Sequence, residues 1–220
     1  MTDVLEIDGV ILEFGSTRIL QDVYLRCETG KVVGVLGRNG TGKSSLFKII
    51  FGELTATSQS VRINGKAYTT DKRPQKDVMF LPQFGFVPHH LSLGRLLEDF
   101  ELNFNELVEY FPEFGQRLKD KLADLSSGQR RIVEIYSILM SPAKFCILDE
   151  PFSGVMPVHV DQFKQLVLRQ ATNKGIIISD HLYRHILDLS DYIYVIKEGK
   201  THLVKDREDL ARLGYTKVRQ

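Results

Sequence analysis

At 220 residues and 43% hydrophobic, the chain is long enough for one substantial core or two closely joined lobes, and no polar tract points to disorder. A balance of 29 Lys and Arg against 28 Asp and Glu leaves a formal net charge of +1, which excludes the broad basic field of a nucleic-acid binder. The start Met1-Thr2-Asp3-Val4-Leu5-Glu6 has no basic segment followed by an apolar one, and no run approaches the roughly 18 apolar residues of a membrane span. The expectation is an intracellular chain that serves any membrane process by docking on another protein.

In chain order, β-branched runs at residues 10–14, 23–27 and 61–63, parted by Glu28-Thr29-Gly30 and Asn64-Gly65, predict a strand-rich first part. Within it, Val32-Val33-Gly34-Val35-Leu36 runs into Gly37-Arg38-Asn39-Gly40-Thr41-Gly42-Lys43-Ser44 and then an apolar stretch at 45–51. That is GxxxxGK[ST] in full, on a strand-to-helix turn where backbone N–H groups and the positive helix end converge on an anion. Lys43 should meet the β and γ phosphates of a nucleotide, and Ser44 should offer its hydroxyl to Mg²⁺. From 84 to about 136 the spacing becomes helical, with Leu93, Leu96, Leu97 and Phe100, then Leu107, Tyr110 and Phe111, punctuated by Pro88, Pro112 and Gly115: an inserted helical lobe. Strand runs at 145–148, 176–179 and 193–196 then alternate with helical stretches at 158–170 and 182–190, which implies a parallel sheet wrapped by helices. Cys27 and Cys146 have no CxxC or CxxH neighbour and read as buried small hydrophobes.

A phosphate loop alone leaves GTPases, small-molecule kinases and many ATPases open. A guanine-reading NKxD is missing, because Asn173-Lys174 is followed by Gly175-Ile176. Leu125-Ser126-Ser127-Gly128-Gln129 precedes a helix expected from about 129 to 140, where a Ser hydroxyl and exposed amides form either a second anion site or an ordinary N-cap. Phe145-Cys146-Ile147-Leu148 ends in Asp149-Glu150, two acids beside a core that either meet a cation or cap the next turn.

In this order and at this spacing, the motifs resemble the ATP-binding cassettes of ABC transporters over almost the whole chain. Residues 125–129 match the LSGGQ signature at four of five positions, and 145–151 match the Walker B strand and catalytic carboxylate. The resemblance implies an α/β P-loop NTPase of the ABC-cassette fold, with a mostly parallel core sheet, an N-terminal antiparallel β subdomain and a small helical subdomain. It implies one domain over 1–220, with 1–83 and 137–220 forming the ATP-binding core and 84–136 the helical signature part. By position, Gly37, Asn39, Gly40, Gly42, Lys43, Ser44 and Ser45 would bind ATP, as would Ser126 and Gly128 from the other protomer of a nucleotide-sandwich dimer. Glu150 would be the general base, His181 would hold the γ-phosphate, and Gln83, with Ser44 and Asp149, would serve Mg²⁺ or the attacking water. Phe14 matches the aromatic that stacks on adenine, although a core aromatic fits that residue type as well.

The same resemblance implies a second cassette as partner, with a homodimer the simplest case, together with a transmembrane permease and a place at the cytoplasmic face of a membrane. Residues 125–135 and 149–155 look most like the ATPases of lipopolysaccharide export and branched-chain amino acid import. Phe84, Phe86, Val87 and Leu91 are candidate docking residues, or else core of the helical lobe. Two positions depart from the pattern. Ser127 replaces the first signature glycine, and Met156 stands where the D-loop aspartate couples the two nucleotide sites, a role that a thioether cannot fill. Two rival readings stand beside the transporter subunit: a soluble ABC ATPase working on a cytosolic assembly, and an ATP-gated clamp without useful turnover. The helical lobe also looks short, which would narrow the groove for a membrane partner.

Overall fold

The computed structural model describes residues 2–68 and 76–215. Strands β1 (Val4–Phe14) and β2 (Thr17–Glu28) pair antiparallel, and with β4 (Ser58–Ile63) and β5 (Lys66–Tyr68) they form a four-stranded sheet in the order β2-β1-β4-β5. Both β1 and β2 run longer than the apolar pattern of the sequence suggested. In β1 the acids Glu6 and Asp8 alternate with the buried Leu5 and Ile7, so its first half is a two-faced strand rather than a continuous apolar run. The turn expected at Asn64-Gly65 joins β4 to β5, with both residues at positive φ, 53° and 76°.

The second sheet holds β3 (Val32–Gly37), β6 (Val78–Leu81), β7 (Phe145–Asp149), β8 (Gly175–Ser179), β9 (Tyr192–Lys197) and β10 (Lys200–Val204) in the order β10-β9-β3-β8-β7-β6. All neighbours are parallel except β9 and β10. The alternation expected of a helix-wrapped parallel sheet is therefore present, closed at one edge by a hairpin. That edge meets the antiparallel sheet, where Gln21 N–H donates to Gly199 O (2.6 Å) and Tyr24 N–H to Thr201 Oγ1 (3.0 Å).

Alternation along the central strands divides the core by face. Val33, Val35, Phe145, Ile147 and Ile177 point into a cluster with the antiparallel sheet and α1 (Lys43–Phe51). Val32, Leu36, Cys146, Leu148, Ile176 and Ile178 point the other way. There they join α5 (Pro157–Ala171), α6 (Tyr183–Leu189) and the helical lobe of α2 (Leu93–Asp99), α3 (Phe104–Tyr110) and α4 (Ser127–Met140) in one continuous buried cluster. Leu210 of the last helix, α7 (Arg207–Arg212), closes it. Cys27 and Cys146 are free and buried, as expected, and burial pushes the Cys146 thiol up to about 11.

Candidate functional site

In a parallel sheet, ligands gather beyond the carboxyl ends of the strands, because loops and helix N-termini converge there. Four such ends meet in this protein: β3 at the phosphate loop, β6 at Gln83, β7 at Asp149-Glu150 and β8 at Asp180-His181. They border a cleft of about 520 Å³ lined by Phe14, Ile19, Asn39, Gly40, Gly42, Lys43, Ser44, Ser45, Gln83, Glu150 and His181. All but Ile19 are residues that the sequence singled out.

The loop itself explains its glycines. Gly40 and Gly42 sit at φ 79° and 98°, in the left-handed region, and a Cβ on Gly42 would come within 2.7 Å of Leu20 Cδ2. Gly42 is also the N-cap of α1, so that helix opens with no side-chain cap and its first amides face the cleft. Lys43 folds back over the loop, donating from Nζ to Gly37 O (2.8 Å) and Arg38 O (3.4 Å). Burial holds its ammonium below the ordinary lysine pKa, opposed by the nearby charges of Glu150, Asp149 and Asp180.

Opposite the loop, three predicted side chains meet. Gln83 Nε2 donates to Glu150 Oε2 at 2.8 Å, and His181 Nδ1 lies 3.6 Å from that same oxygen. Glu150 adopts φ 49°, unusual for a residue with a side chain, and its N–H is tied to Ser179 O (2.9 Å). Asp149 lies deeper, 1% exposed, with Oδ1 receiving the Ser179 hydroxyl at 2.8 Å. The other reading of these two acids, as side-chain caps of the following turn, is not what occurs. Asp180 fills that role, its carboxylate accepting from Phe152 N–H (3.1 Å) and Leu182 N–H (2.8 Å). Phe14 is 55% exposed at the cleft, so it is not a core aromatic.

Ser126 and Gly128 do not line this cleft. Ser126 is the N-cap of α4 in a reciprocal capping box with Gln129, Oγ accepting from Gln129 N–H (3.2 Å) and Gln129 Oε1 from Ser126 N–H (3.1 Å). The helix begins at Ser127, two residues before the expected start. Beside it lies Met156, 53% exposed, whose Cγ is 4.0 Å from where a Gly128 Cβ would stand. The two departures from the sequence pattern thus sit on one surface. Among the docking candidates Phe84 is 78% exposed and Phe86 37%, whereas Val87 is buried and Leu91 packs on the core.

The family described as ABC transporter matches residues 20–153. This chain belongs to the ABC transporter family, as an ATP-binding cassette. The cassette is 34% identical over 218 residues to a probable ABC transporter ATP-binding protein of Azorhizobium caulinodans, a match covering 92% of this chain and 77% of that one. It is 32% identical over 205 residues to the lipopolysaccharide export system ATP-binding protein LptB of Escherichia coli strain K12, covering 85% and 83%. A solved structure of an ATP binding subunit of an ABC transporter shares the fold at a TM-score of 0.84 and 22% identity, over 98% of this cassette and 95% of that chain. No helix among the described residues is long and apolar enough to cross a membrane.

Sequence reasoning missed Arg131 and Asp180, two buried charges behind the cleft. Arg131 reaches Pro82 O and Asp180 accepts from Phe152 N–H, 49 and 28 residues away, separations that no local pattern signals.

Proposed function

We propose that this cassette hydrolyses ATP at the cleft and energises a separate membrane permease, working at the cytoplasmic face as half of a dimer of two copies. The observation that carries the reading is the meeting of Gln83, Glu150 and His181 on a single carboxylate oxygen across from the phosphate loop. A water held there by Glu150 and Gln83 attacks the γ-phosphorus in line, and its proton goes to the Glu150 carboxylate as the bond to the bridging oxygen breaks. Lys43 and the loop amides take up the charge on the departing ADP, His181 steadies the γ-phosphate, and Phe14 offers the adenine a flat apolar face.

The donor set suits magnesium. No group of three or more His, Cys, Asp and Glu side chains able to hold a metal occurs among the described residues. Magnesium in nucleotide sites is held by one or two protein oxygens together with phosphate and water. Ser44 and the buried Asp149, with Gln83 close by, would hold it, and the ion would supply charge neutralisation at the β and γ oxygens. Ser126 and Gly128, which do not line their own cleft, would close over the ATP of the second copy. Phe84 and Phe86 offer the permease an apolar contact.

Phosphate release by the wild type and by Glu150→Gln tests the reading. The variant is expected to bind ATP, to form an ATP-dependent dimer and to lose at least about a hundredfold in turnover. Equal and negligible rates for both proteins would instead indicate a clamp that binds ATP without consuming it. A Glu150→Gln variant that stays monomeric when saturated with ATP would remove the sandwich.

A further inference from the structure

We propose that Arg131 is a positioning residue for hydrolysis, one that ties the signature helix α4 to the backbone carrying Gln83 and Glu150. The inference rests on the reading of Glu150 as general base.

Arg131 lies one turn into α4, its side chain 7% exposed. From Nη1 it donates to Pro82 O (2.9 Å), the carbonyl immediately before Gln83. From Nη2 it donates to Asp149 O (3.3 Å) and Glu150 O (3.2 Å). A single guanidinium thus grips the end of β6 and the end of β7, the two strands that deliver the glutamine and the carboxylate. Its acid partner Glu134, one turn further along, is equally buried at 3.5 Å. Glu134 Oε1 accepts from Phe86 N–H (3.1 Å) and Val87 N–H (3.4 Å), and Gly85 permits that approach, since a Cβ there would stand 3.0 Å from the same oxygen. The segment bearing Gln83 is therefore pinned on both flanks from one face of one helix.

Stability does not account for this pair. Two buried charges carry a desolvation cost that apolar residues of similar volume would avoid, and burial holds the Arg131 pKa below its ordinary value despite Glu134. What the pair supplies is geometry: Arg's planar fork fixes several acceptors at once, which neither an apolar side chain nor a lysine does. Glu150 needs such fixing, because its φ of 49° is held by Ser179 O on the N–H side and by Arg131 on the carbonyl side.

The consequence lies in where α4 begins. Its first residues, Ser126 to Gly128, are those that would close on the ATP of the other copy. Any shift of α4 on closure passes through Arg131 to the Glu150 and Gln83 of its own cleft. That links the two nucleotide sites without an acid at position 156.

The test is steady-state kinetics and ATP affinity for Arg131→Met, Arg131→Lys and Glu134→Gln in the full chain. Arg131→Met is expected to bind ATP within about threefold of wild type while kcat falls about 10- to 100-fold, the range of a misplaced reacting group. Arg131→Lys is expected to recover part of that loss, because an ammonium reaches one carbonyl where the fork reaches three. A kcat within about twofold of wild type in Arg131→Met, or an ATP affinity lost by the same factor as kcat, would overturn the proposal. Should Arg131→Met fail to fold, Arg131→Lys decides alone by the same split between kcat and affinity. A wild type with no turnover would refute the Glu150 reading instead, and the pin is then read by amide exchange of residues 83–87 in Glu150→Gln with ATP bound. Adding Arg131→Met there should speed exchange about tenfold, and unchanged exchange overturns the pin.

Discussion

Lys43, proposed to meet the phosphates, is held ready within its own loop. In the cleft its ammonium is spread over the loop's own carbonyls at 2.8 and 3.4 Å, and burial makes its charge less favourable than in water. A triphosphate offers a stronger partner, and charge-assisted hydrogen bonds of this kind contribute about 1.5–3 kcal/mol. Lys43→Met should therefore weaken ATP binding by about 10- to 100-fold in calorimetric titration while leaving the melting temperature of the nucleotide-free protein within a few degrees. The pH dependence has a definite sign. Because burial makes the free protein's lysine titrate below its ordinary value of 10.5, its charged fraction falls as pH rises toward that lowered value, and ATP affinity should begin to fall with it before pH reaches 10.5. Lys43→Met should lack that decline; equal slopes in both proteins would refute the assignment. This residue was legible in the sequence because phosphate chemistry fixes both residue type and spacing. Arg131 and Asp180 were not, since each acts on distant backbone through a side chain that looks ordinary in its own segment.

At the scale of elements, the fully buried strands could be read directly, as at β7 and β8, where every residue is buried and apolar runs mark the core. The edge hairpin was different. Lys200–Val204 has no fully buried residue and alternates too weakly to register, so its pairing with β9 follows from the Glu198-Gly199 turn, both at positive φ. For α4, expected from about 129 to 140, the C-terminal end stands where the sequence put it and the N-terminal end two residues earlier. The C-terminus of α4 is closed by Lys174, whose Nζ donates to Leu139 O (2.6 Å) and to Ser141 O. Lys174→Met leaves those two buried carbonyls unpaired, at a cost of about 1–3 kcal/mol in urea unfolding. Burial holds the Lys174 ammonium below the unfolded value of 10.5. Between the folded value and 10.5 the unfolded chain binds more protons at this site, so it contributes a stability that rises with pH. The deficit of Lys174→Met should consequently widen as pH rises from the folded value toward 10.5, and a constant deficit would mean that the lysine is not desolvated.

Across the whole molecule, the helical lobe and the central sheet share one buried cluster. Phe111 lies at its middle, 5.3 Å from the Phe163 ring of α5 and 6.5 Å from that of Tyr136 on α4. The periodicity of Leu93, Leu96, Leu97 and Leu107 foretold that the lobe has an apolar face, and all four are buried. It did not say which apolar residues stay outside, because Phe84, Phe86 and Val87 look alike in sequence and the hydrogen bonds that Phe86 N–H and Val87 N–H donate to Glu134 set how the segment turns. The result is Phe84 at 78% exposure, three residues from the buried Val87 and next to Gln83. A large exposed aromatic beside the glutamine that lines the cleft has no packing reason to be there, and a surface substitution away from any packed feature changes stability by no more than about 0.5 kcal/mol. Phe84→Ser should accordingly melt with the wild type and hydrolyse ATP at the wild-type rate as an isolated cassette. If this aromatic is where the permease sits, the same variant should recover markedly less membrane protein in co-purification from cells. A melting temperature lowered by several degrees would show instead that the ring packs against something within the cassette, and the docking assignment would fall with it.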